Sequence, residues 1–485
     1  MNLYRIPTLI ILAVVFTLSS LHAQQILYSP YDKFDFRSGE FTVAGKVGDL
    51  LYVYRGSAEG YYLDAYNDKM QRQATVILDF LPRRSFGTRF ITYNDKIIVL
   101  HQVTESGRVL QYATLLDAKG RIQKGPVLVD EAKSSFLGGR SGLYNYAISY
   151  DKQQIVVYGV NTRGADLAAK MVWLDDELDK KHVAEAQFSA DNNISFGEGV
   201  VNDAGQFLLP VYTPYGARDY ADRVWLLSID KGGNTFHPVE MPMNELFTAG
   251  TYMEMSLSGD RIYVGGFYSD KKNGNFEGII YTYYDVAEKA FKEFKAITFS
   301  ERMRNATGER STKRAFNDYQ VRQLIVRNDG GFVLIAENFY ISTRNNYNQG
   351  FGYYSWYYPT MSASVREYNY GDILAISCGG NGEPEWAEFI RKLQYSQEDG
   401  GLFSSYALIN TGGALGFLFN DFNASHSKIQ LASLDAGGKI SVSSLTGYGN
   451  EDPDWLPKSG KQVSAKEFVV PCLKRNQICF AKVVF

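Results

Sequence analysis

The sequence has few of the residues that most often build metal and redox sites. Its 485 residues include 3 cysteines, 5 histidines and 5 tryptophans. The four histidines beyond residue 23 lie far apart in the chain, at His101, His182, His237 and His426. The sequence lacks an HExxH motif, a zinc-type Cys/His spacing, a nucleophile elbow and a phosphate-binding glycine loop. We therefore expect no catalytic residues, no metal site and no cofactor.

The chain also lacks an excess of charge. Lys and Arg number 50 and Asp and Glu number 53, so the formal net charge is −3. Nucleic-acid binding normally leaves a strongly basic patch. DNA and RNA are therefore not expected partners.

Only the N-terminus carries an apolar run. A cationic start, Met1 to Arg5, precedes the apolar stretch from Thr8 to Phe16, and Ala23 supplies the small residue of a cleavage site. This pattern predicts a secretory signal over residues 1–23, a periplasmic or extracellular location and no membrane span after cleavage. An uncleaved anchor is the alternative, although the run is shorter than the about 20 residues that cross a bilayer.

The rest of the chain, residues 24–485, is built from one recurring unit. The unit opens with a Gly, Asp or Asn turn, continues as an apolar strand, crosses a polar loop and returns as a second apolar strand. Its copies begin at Gly48, Asn94, Tyr150, Asp203, Ser258, Asn328, Asn410 and Lys466. Such units bury one face only by packing on the next unit, so we predict a single all-β domain, a β-propeller of eight blades. Seven blades and two packed β-sandwiches are the alternatives.

Local signals define the predicted blade further. Many second apolar strands end in a tight turn, as at Asp117–Gly120, Asp230–Gly233 and Asp435–Gly438, and a more polar strand follows that we place outermost. Gln25–Tyr28 is expected to pair with the last blade and close the ring. Pro471 cannot donate to a strand ladder and is expected at an edge or a bulge.

An insertion rich in aromatic residues splits the sixth unit, over residues 341–369. Aromatic side chains of this density are typical of binding interfaces. The candidates for partner binding are Tyr353, Tyr354, Trp356, Tyr357 and Tyr358. The alternative is a long hairpin whose rings pack on neighbouring loops. A basic segment just upstream, from Arg302 to Arg314, is expected to be a solvated loop.

Two carboxylate clusters and one cysteine pair remain. Paired carboxylates serve glycosidases, but both clusters fit solvated turns better, namely Asp175, Asp176, Glu177 and Asp179, and Glu383, Glu385, Glu388, Glu398 and Asp399. A hairpin centred on Arg475-Asn476 places Cys472 opposite Cys479, within reach of a disulfide. A register shift at Pro471 that leaves all three cysteines as thiols is the alternative.

The segment Tyr368–Asp421 resembles a block found in uncharacterised secreted proteins of Bacteroidota, which are built from similar strand repeats. The matching positions are Gly371-Asp372-Ile373, Glu385-Trp386, Lys392, Gln394, Ser396, Asp399-Gly400, Ser405-Tyr406 and Phe419-Asn420-Asp421. The resemblance implies secretion and a repeat architecture and adds no catalytic residue. The Asp-x-x-Gly turns also resemble those of quinoprotein-like propellers, but the tryptophan that follows the turn there is missing, which argues against a quinone cofactor.

Taken together, these features favour a secreted, non-enzymatic propeller that binds a protein or a glycan in the periplasm or at the cell surface. The alternative is a glycan hydrolase or lyase with its site in the central channel, which predicts carboxylates, Arg or Tyr at the axis. A purely structural subunit of an envelope assembly is a third possibility.

Overall fold

The computed structural model describes residues 25–134, 144–213, 220–345, 364–423, 426–445 and 452–485. They form eight antiparallel sheets arranged as the blades of a β-propeller. The predicted fold class and blade number are therefore confirmed, and the alternatives of seven blades and of two sandwiches are wrong. The first strands of blades 1 and 2, of blades 3 and 4, of blades 5 and 6, and of blades 8 and 1 contact each other, so first strands lie nearest the axis.

The chain begins with β1 (Gln25–Tyr28) and β2 (Asp32–Lys33), which belong to the last blade. Blade 1 contains β3 (Glu40–Val47), β4 (Leu50–Ser57), β5 (Gly60–Tyr66) and β6 (Arg72–Ile77). Blade 2 contains β7 (Phe86–Thr92), β8 (Lys96–Glu105), β9 (Arg108–Asp117) and β10 (Ile122–Lys133). Blade 3 contains β11 (Asn145–Ile148), β12 (Ile155–Arg163), β13 (Asp166–Leu174) and β14 (Lys180–Ser189). Blade 4 contains β15 (Ser195–Phe196), β16 (Val200–Val201), β17 (Phe207–Thr213), β18 (Arg223–Ile229) and β19 (His237–Glu240).

Blade 5 contains β20 (Phe247–Met255), β21 (Arg261–Ser269), β22 (Gly278–Asp285) and β23 (Ala290–Thr298). A short helix α1 (Glu301–Ala306) and a 3₁₀ turn (Thr312–Arg314) lead into blade 6. Blade 6 contains β24 (Tyr319–Val326), β25 (Phe332–Asn345), β26 (Ser364–Cys378), β27 (Pro384–Ile390) and β28 (Gln394–Gln397). Blade 7 contains β29 (Tyr406–Asn410), β30 (Ala414–Asn423), β31 (His426–Asp435) and β32 (Ile440–Ser444). Blade 8 contains β33 (Asp454–Trp455), a 3₁₀ turn (Pro457–Ser459), β34 (Lys461–Ser464), β35 (Glu467–Lys474) and β36 (Gln477–Val484).

Each predicted repeat begins at the turn between the first and second strands of a blade. Asp117–Gly120 and its equivalents join the third and fourth strands. There Asp117 Oδ1 accepts the N–H groups of Lys119 (2.8 Å) and Arg121 (2.9 Å). Gly120 has a φ of 77°, which favours glycine. The polar strand after this turn, β10, is outermost, as predicted.

The N-terminal strand closes the ring. β1 pairs with β36, with Gln25 opposite Val484 and Tyr28 opposite Ala481. Ser29 extends this contact, because its N–H donates to the carbonyl of Phe480 (2.9 Å) and its Oγ accepts the Phe480 N–H (2.9 Å). Blade 8 therefore combines the two ends of the described chain, as the sequence predicted.

Pro471 differs from its prediction, because it lies inside β35, a central strand, opposite Phe480. The strand on the other side of β35 is interrupted there. β33 pairs with β35 up to Trp455 opposite Cys472, and β34 resumes at Lys461 opposite Val469. Blade 4 shows the same arrangement, since β15 and β16 pair on either side of Pro210. The missing proline N–H thus falls where the inner strand is broken.

The hydrophobic core lies between successive blades. Tyr281 of blade 5 stacks on Phe332 of blade 6 with ring centroids 4.4 Å apart. Trp173 of blade 3 meets Phe207 of blade 4 edge to face and donates its indole N–H to Gly205 O (2.8 Å). Each sheet thus buries its apolar faces against its neighbours, which is the reason the repeats form a ring.

The two ends of the disc differ. At one end of the disc, second strands join third strands and each blade connects to the next. We call this end the loop face. The opposite end carries the short turns between first and second and between third and fourth strands, and we call it the turn face. The C-terminal end of β25 and the N-terminal end of β26 lie on the loop face, as does α1. Features on the loop face and on the turn face are therefore spatially separate.

Candidate functional site

The predicted insertion begins as a two-stranded extension of blade 6. Pairing of β24 with β25 ends at Asn338, whereas β25 and β26 stay paired from Phe339 opposite Tyr370 to Asn345 opposite Ser364. The root of the insertion is therefore a long hairpin. The binding candidates Tyr353, Tyr354, Trp356, Tyr357 and Tyr358 lie outside the described residues.

A third strand supports this hairpin. β28 pairs with the first part of β26, with Gln394 opposite Tyr370 and Gln397 opposite Glu367. We call the resulting three-stranded extension, residues 339–345, 364–370 and 394–397, the arm. Large apolar or aromatic side chains are exposed on it and beside it: Tyr340 (46%), Ile341 (52%), Leu393 (79%) and Tyr395 (40%).

Tyr340 and Tyr395 share one side of the arm. Each lies opposite Asn369 in the register, so the three side chains face the same way. Tyr395 donates its hydroxyl hydrogen to Glu367 Oε1 (2.7 Å), and Ser342 Oγ donates to Glu367 Oε2 (3.0 Å). Glu367 thereby cross-links all three strands, so this side of the arm has a defined shape.

A buried ion pair lies at the root of the arm. Lys392 Nζ is 2.7 Å from Glu337 Oε1, and the two side chains are 1% and 0% exposed. Glu337 Oε2 also accepts from Ser405 Oγ (2.8 Å) and from Arg322 Nε (3.2 Å). Burial lowers the pKa of Lys392, against the opposing effect of Glu337. The Glu337 carboxylate therefore contacts the first strand of blade 6 through Arg322. It contacts the connections before and after β28 through Lys392 and Ser405.

The same network continues into blades 7 and 8. Gln394 accepts from Lys392 Nζ (3.0 Å) and from the Ser405 N–H (2.8 Å), and it donates to Asn420 O (2.8 Å). Asn420 Nδ2 in turn donates to Phe403 O (2.7 Å) and Trp455 O (2.9 Å). The arm is thus fixed to three blades by polar groups that are almost fully enclosed.

Asp399 belongs to this region and corrects the sequence interpretation. It was expected in a solvated turn, but it is buried, and Oδ1 accepts from Ser396 Oγ (2.7 Å) and from the Gly401 N–H (2.7 Å). Burial raises the pKa of Asp399. Gly401, at φ 68°, packs against Tyr370, so that a Cβ there would lie 2.5 Å from the ring. Many positions that carry the Bacteroidota resemblance therefore meet at the root of the arm: Lys392, Gln394, Ser396, Asp399, Ser405 and Asn420.

The remaining carboxylates do not gather into one site. Glu383 and Glu385 lie near the turn face, where they pair with Lys295 (3.0 Å) and Arg327, while Asp399 lies toward the loop face. The cluster from Asp175 to Asp179 forms a turn between third and fourth strands. Its members pair with Lys96, Lys124 and Lys181.

The cysteines occupy the predicted register. Cys472 lies directly opposite Cys479, so Pro471 causes no shift. Both are free thiols in the structure, as is Cys378, and all three are buried. Burial raises the pKa of Cys378 to about 12 and that of Cys472 well above its usual value. The bridge between Cys472 and Cys479 stays a prediction.

The histidines lie in different blades. His101 is buried and stacks on Tyr112 with centroids 5.4 Å apart, and burial lowers its pKa to about 4. His182 Nε2 lies 2.8 Å from Gly233 O, His237 is in outermost β19, and His426 is in β31. Within the described ranges, no three His, Cys, Asp or Glu side chains are grouped so that they could hold a metal ion.

Arg304 of the basic segment pairs with Glu277 (2.7 Å).

Sequence reasoning missed a funnel that opens on the turn face near the axis. Its volume is about 630 Å³, and its wall includes Tyr150, Tyr252, Glu254, Met255 and Leu257. Burial raises the pKa of Glu254 to about 7. Burial, with smaller contributions from Glu254 and Glu198, raises the pKa of Tyr252 to about 12. The repeat pattern is carried by the apolar second and third strands, whereas these residues come mainly from first strands and the turns after them.

Known proteins resemble the chain in fold only. Neither a family model nor a curated protein matches the chain. Similar solved structures include the C-terminal WD40 domain of Sif2 (TM-score 0.45, 8% identity, 95% of this chain and 98% of that one). The Nup133 β-propeller domain of Vanderwaltozyma polyspora is also similar (0.39, 9%, 82% and 100%). Prolyl oligopeptidase B of Galerina marginata is a third (0.43, 10%, 90% and 55%), so the chain spans about half its length. Likeness at this level says nothing about activity.

Among the described residues, no helix is long and apolar enough to span a bilayer.

Proposed function

We propose that this protein is a secreted, non-enzymatic propeller that holds a protein or glycan partner through its arm, in the periplasm or at the cell surface. The observation that carries the proposal is the arm itself, a three-stranded extension beyond blade 6 whose root is fixed by the buried Lys392–Glu337 pair. An extension of this kind adds little to the core between blades, so its sequence is free to serve recognition.

The chemistry of the arm supports binding. Tyr340 and Tyr395 present amphipathic rings on one side, and Ile341 and Leu393 add exposed apolar surface. Rings of this kind supply contact area at a low cost in conformational entropy. Because the root is fixed by buried hydrogen bonds, little ordering remains to oppose association. The candidates from Tyr353 to Tyr358 belong to the segment that joins the two long strands of the arm.

Secretion rests on the sequence. The predicted signal, residues 1–23, lies outside the described residues, and the resemblance to secreted Bacteroidota proteins points the same way. A mature chain that begins near Gln24 places β1 at its start, where it pairs with β36. Processing just before β1 leaves the closing strand complete.

The test is a cross-linked pull-down from the native cell envelope. We expect replacement of Tyr353, Tyr354, Trp356, Tyr357 and Tyr358 by Ala to abolish recovery of the partner without lowering the melting temperature. A matched control replaces Ile77, Val183 and Val442 by Ala, since these side chains are exposed on outermost strands. Equal recovery with both variants removes the arm from the proposal.

The funnel supports a second candidate, a glycan hydrolase or lyase. A general acid works best when its pKa lies near the working pH, and that of Glu254 is about 7. Glu254 and Glu198 both act electrostatically on Tyr252, so two carboxylates lie near one phenol. This candidate predicts release of reducing or unsaturated ends from a panel of bacterial and plant polysaccharides, and loss of that activity in Glu254→Gln. Absence of turnover across the panel favours the binding role.

A further inference from the structure

The funnel differs from the arm in position and in chemistry. It opens on the turn face and takes its wall from several blades, including Tyr150 of blade 3, Tyr252 and Glu254 of blade 5 and Asn410 of blade 7. A smaller recess of about 230 Å³ shares Tyr150, Glu254, Met255 and Leu257 with it. Glu254 therefore lies where two concave spaces meet.

Among the residues that the structure describes, no ion pair or hydrogen bond engages the carboxylate of Glu254. Only burial shifts its pKa, and no charged or hydrogen-bonding side chain of the described chain contributes. Arg327, the cation of the funnel wall, pairs with Asp329 and Glu385 and donates to Ser377 Oγ (2.8 Å). Glu254 is a carboxylate of the same wall, with no ion pair among the described residues.

Aromatic and apolar side chains line the funnel beside Glu254. Tyr150 is 74% exposed and Leu257 is 60% exposed, so both are open to a ligand. Tyr252 and Met255 come from the same strand as Glu254. Aromatic faces attract cations, and thioether and aliphatic groups suit a methylene chain. The wall thus complements a positive charge carried on an apolar stem.

We infer that the funnel binds a primary ammonium group on a short aliphatic chain, as in the lysine side chain of a peptide, with Glu254 as its counter-ion and Tyr150 and Tyr252 as its aromatic wall. A compact ammonium needs only one carboxylate as its counter-ion, and its aliphatic stem matches the apolar and thioether side chains of the wall. The inference is independent of partner binding through the arm, which lies on the opposite face of the disc, and it assigns Glu254 a binding role in place of a catalytic one.

The test is a calorimetric titration of the purified mature protein with N-acetyl-lysine methylamide. N-acetyl-norleucine methylamide, which has the same stem without the ammonium, is the matched ligand. We expect the lysine compound to bind at least tenfold more tightly than the norleucine compound. Glu254→Gln should remove this difference, whereas the control Glu59→Gln, in an exposed turn on the loop face, should preserve it.

A second variant guards against indirect effects. Tyr150→Ala removes an exposed ring and should leave the melting temperature unchanged while weakening lysine binding several-fold. Equal binding of the two compounds by the wild type overturns the inference, as does undiminished lysine binding in folded Glu254→Gln. These results leave the pull-down through the arm unaffected, so failure of one idea does not imply failure of the other.

Discussion

Lys392 Nζ lies 2.7 Å from Glu337 Oε1, with both side chains almost fully buried at the root of the arm. Removing water from two charges is costly, and the pair is tolerated because Glu337 also binds Arg322 and Ser405. Removal of Lys392 leaves the buried Glu337 carboxylate with only the longer contact to Arg322 (3.2 Å) and the hydroxyl of Ser405.

The first prediction concerns this pair. Lys392→Met should lower the free energy of unfolding by about 3–5 kcal/mol, whereas the double variant Lys392→Met/Glu337→Gln should lose less. Urea unfolding measures both. The control is Arg108→Met, which breaks an exposed pair with Glu131 (2.6 Å) and should cost less than about 1 kcal/mol. If the buried and exposed pairs cost the same, the root of the arm is not rigid in the way described.

The second prediction concerns ring closure. A chain that begins at Asp32 lacks β1 and Ser29, so β36 loses its outer partner and exposes an unpaired edge. We expect a lower melting temperature and concentration-dependent self-association in size-exclusion chromatography. A chain that begins at Gln24 is the control. An unchanged monomer with unchanged melting would show that the N-terminal strand does not stabilise the ring.

The third prediction concerns Glu467, which links blade 8 to blade 1. Glu467 Oε2 is 2.6 Å from Lys46 Nζ, and Oε1 is 2.9 Å from Lys482 Nζ. Burial alone would raise its pKa, but hydrogen bonds from the two lysines and Ser464 lower the pKa to about 2. The resulting stabilisation is complete above the unfolded value of 4.5 and is lost as the pH falls toward 2.

Unfolding at two pH values checks this sign. Glu467→Gln should be less stable than the wild type by about 1–2 kcal/mol at pH 7, after allowance for solvent screening. The difference should shrink as the pH approaches 2. The exposed Glu288, which pairs with Lys292 (2.6 Å), provides the control Glu288→Gln, with little effect at either pH. A difference for Glu467→Gln that does not vary with pH would contradict the assignment.

The fourth prediction concerns the cysteines. Because Cys472 faces Cys479 across β35 and β36, export to an oxidising periplasm should join them. Denatured protein from the periplasm should then show one reactive thiol, Cys378, and protein made in the cytosol without residues 1–23 should show three. Exported Cys472→Ser should show two. Three thiols in the exported wild type would rule out the bridge.

Much of the architecture could be predicted because it depends on local patterns. The eight turn signals mark the boundary between first and second strands, and the closing strand follows from the incomplete last repeat. The position of Pro471 could not be predicted, since it depends on a break in a neighbouring strand formed by the 3₁₀ turn at Pro457–Ser459.

The candidate sites were harder to predict than the fold. Asp399 resembles a turn residue in the sequence, but in the fold it is buried and accepts a hydrogen bond from Ser396 of the arm. No motif in the sequence around Glu254 marks it as a site residue. The funnel forms only when first strands and their turns from several blades face a common axis. Such sites combine side chains that are distant in the sequence. The hydrophobic periodicity of the sequence carries no information about which of these side chains meet.

The most direct test of the account replaces residues 346–363 by Asn-Gly. Asn345 and Ser364 are directly opposite, so a two-residue turn of this type can join them and leave the arm's root intact. In a cross-linked pull-down from the native envelope, we predict that this variant melts like the wild type but no longer recovers the partner. Recovery of the same partner in the same yield would contradict binding through the arm.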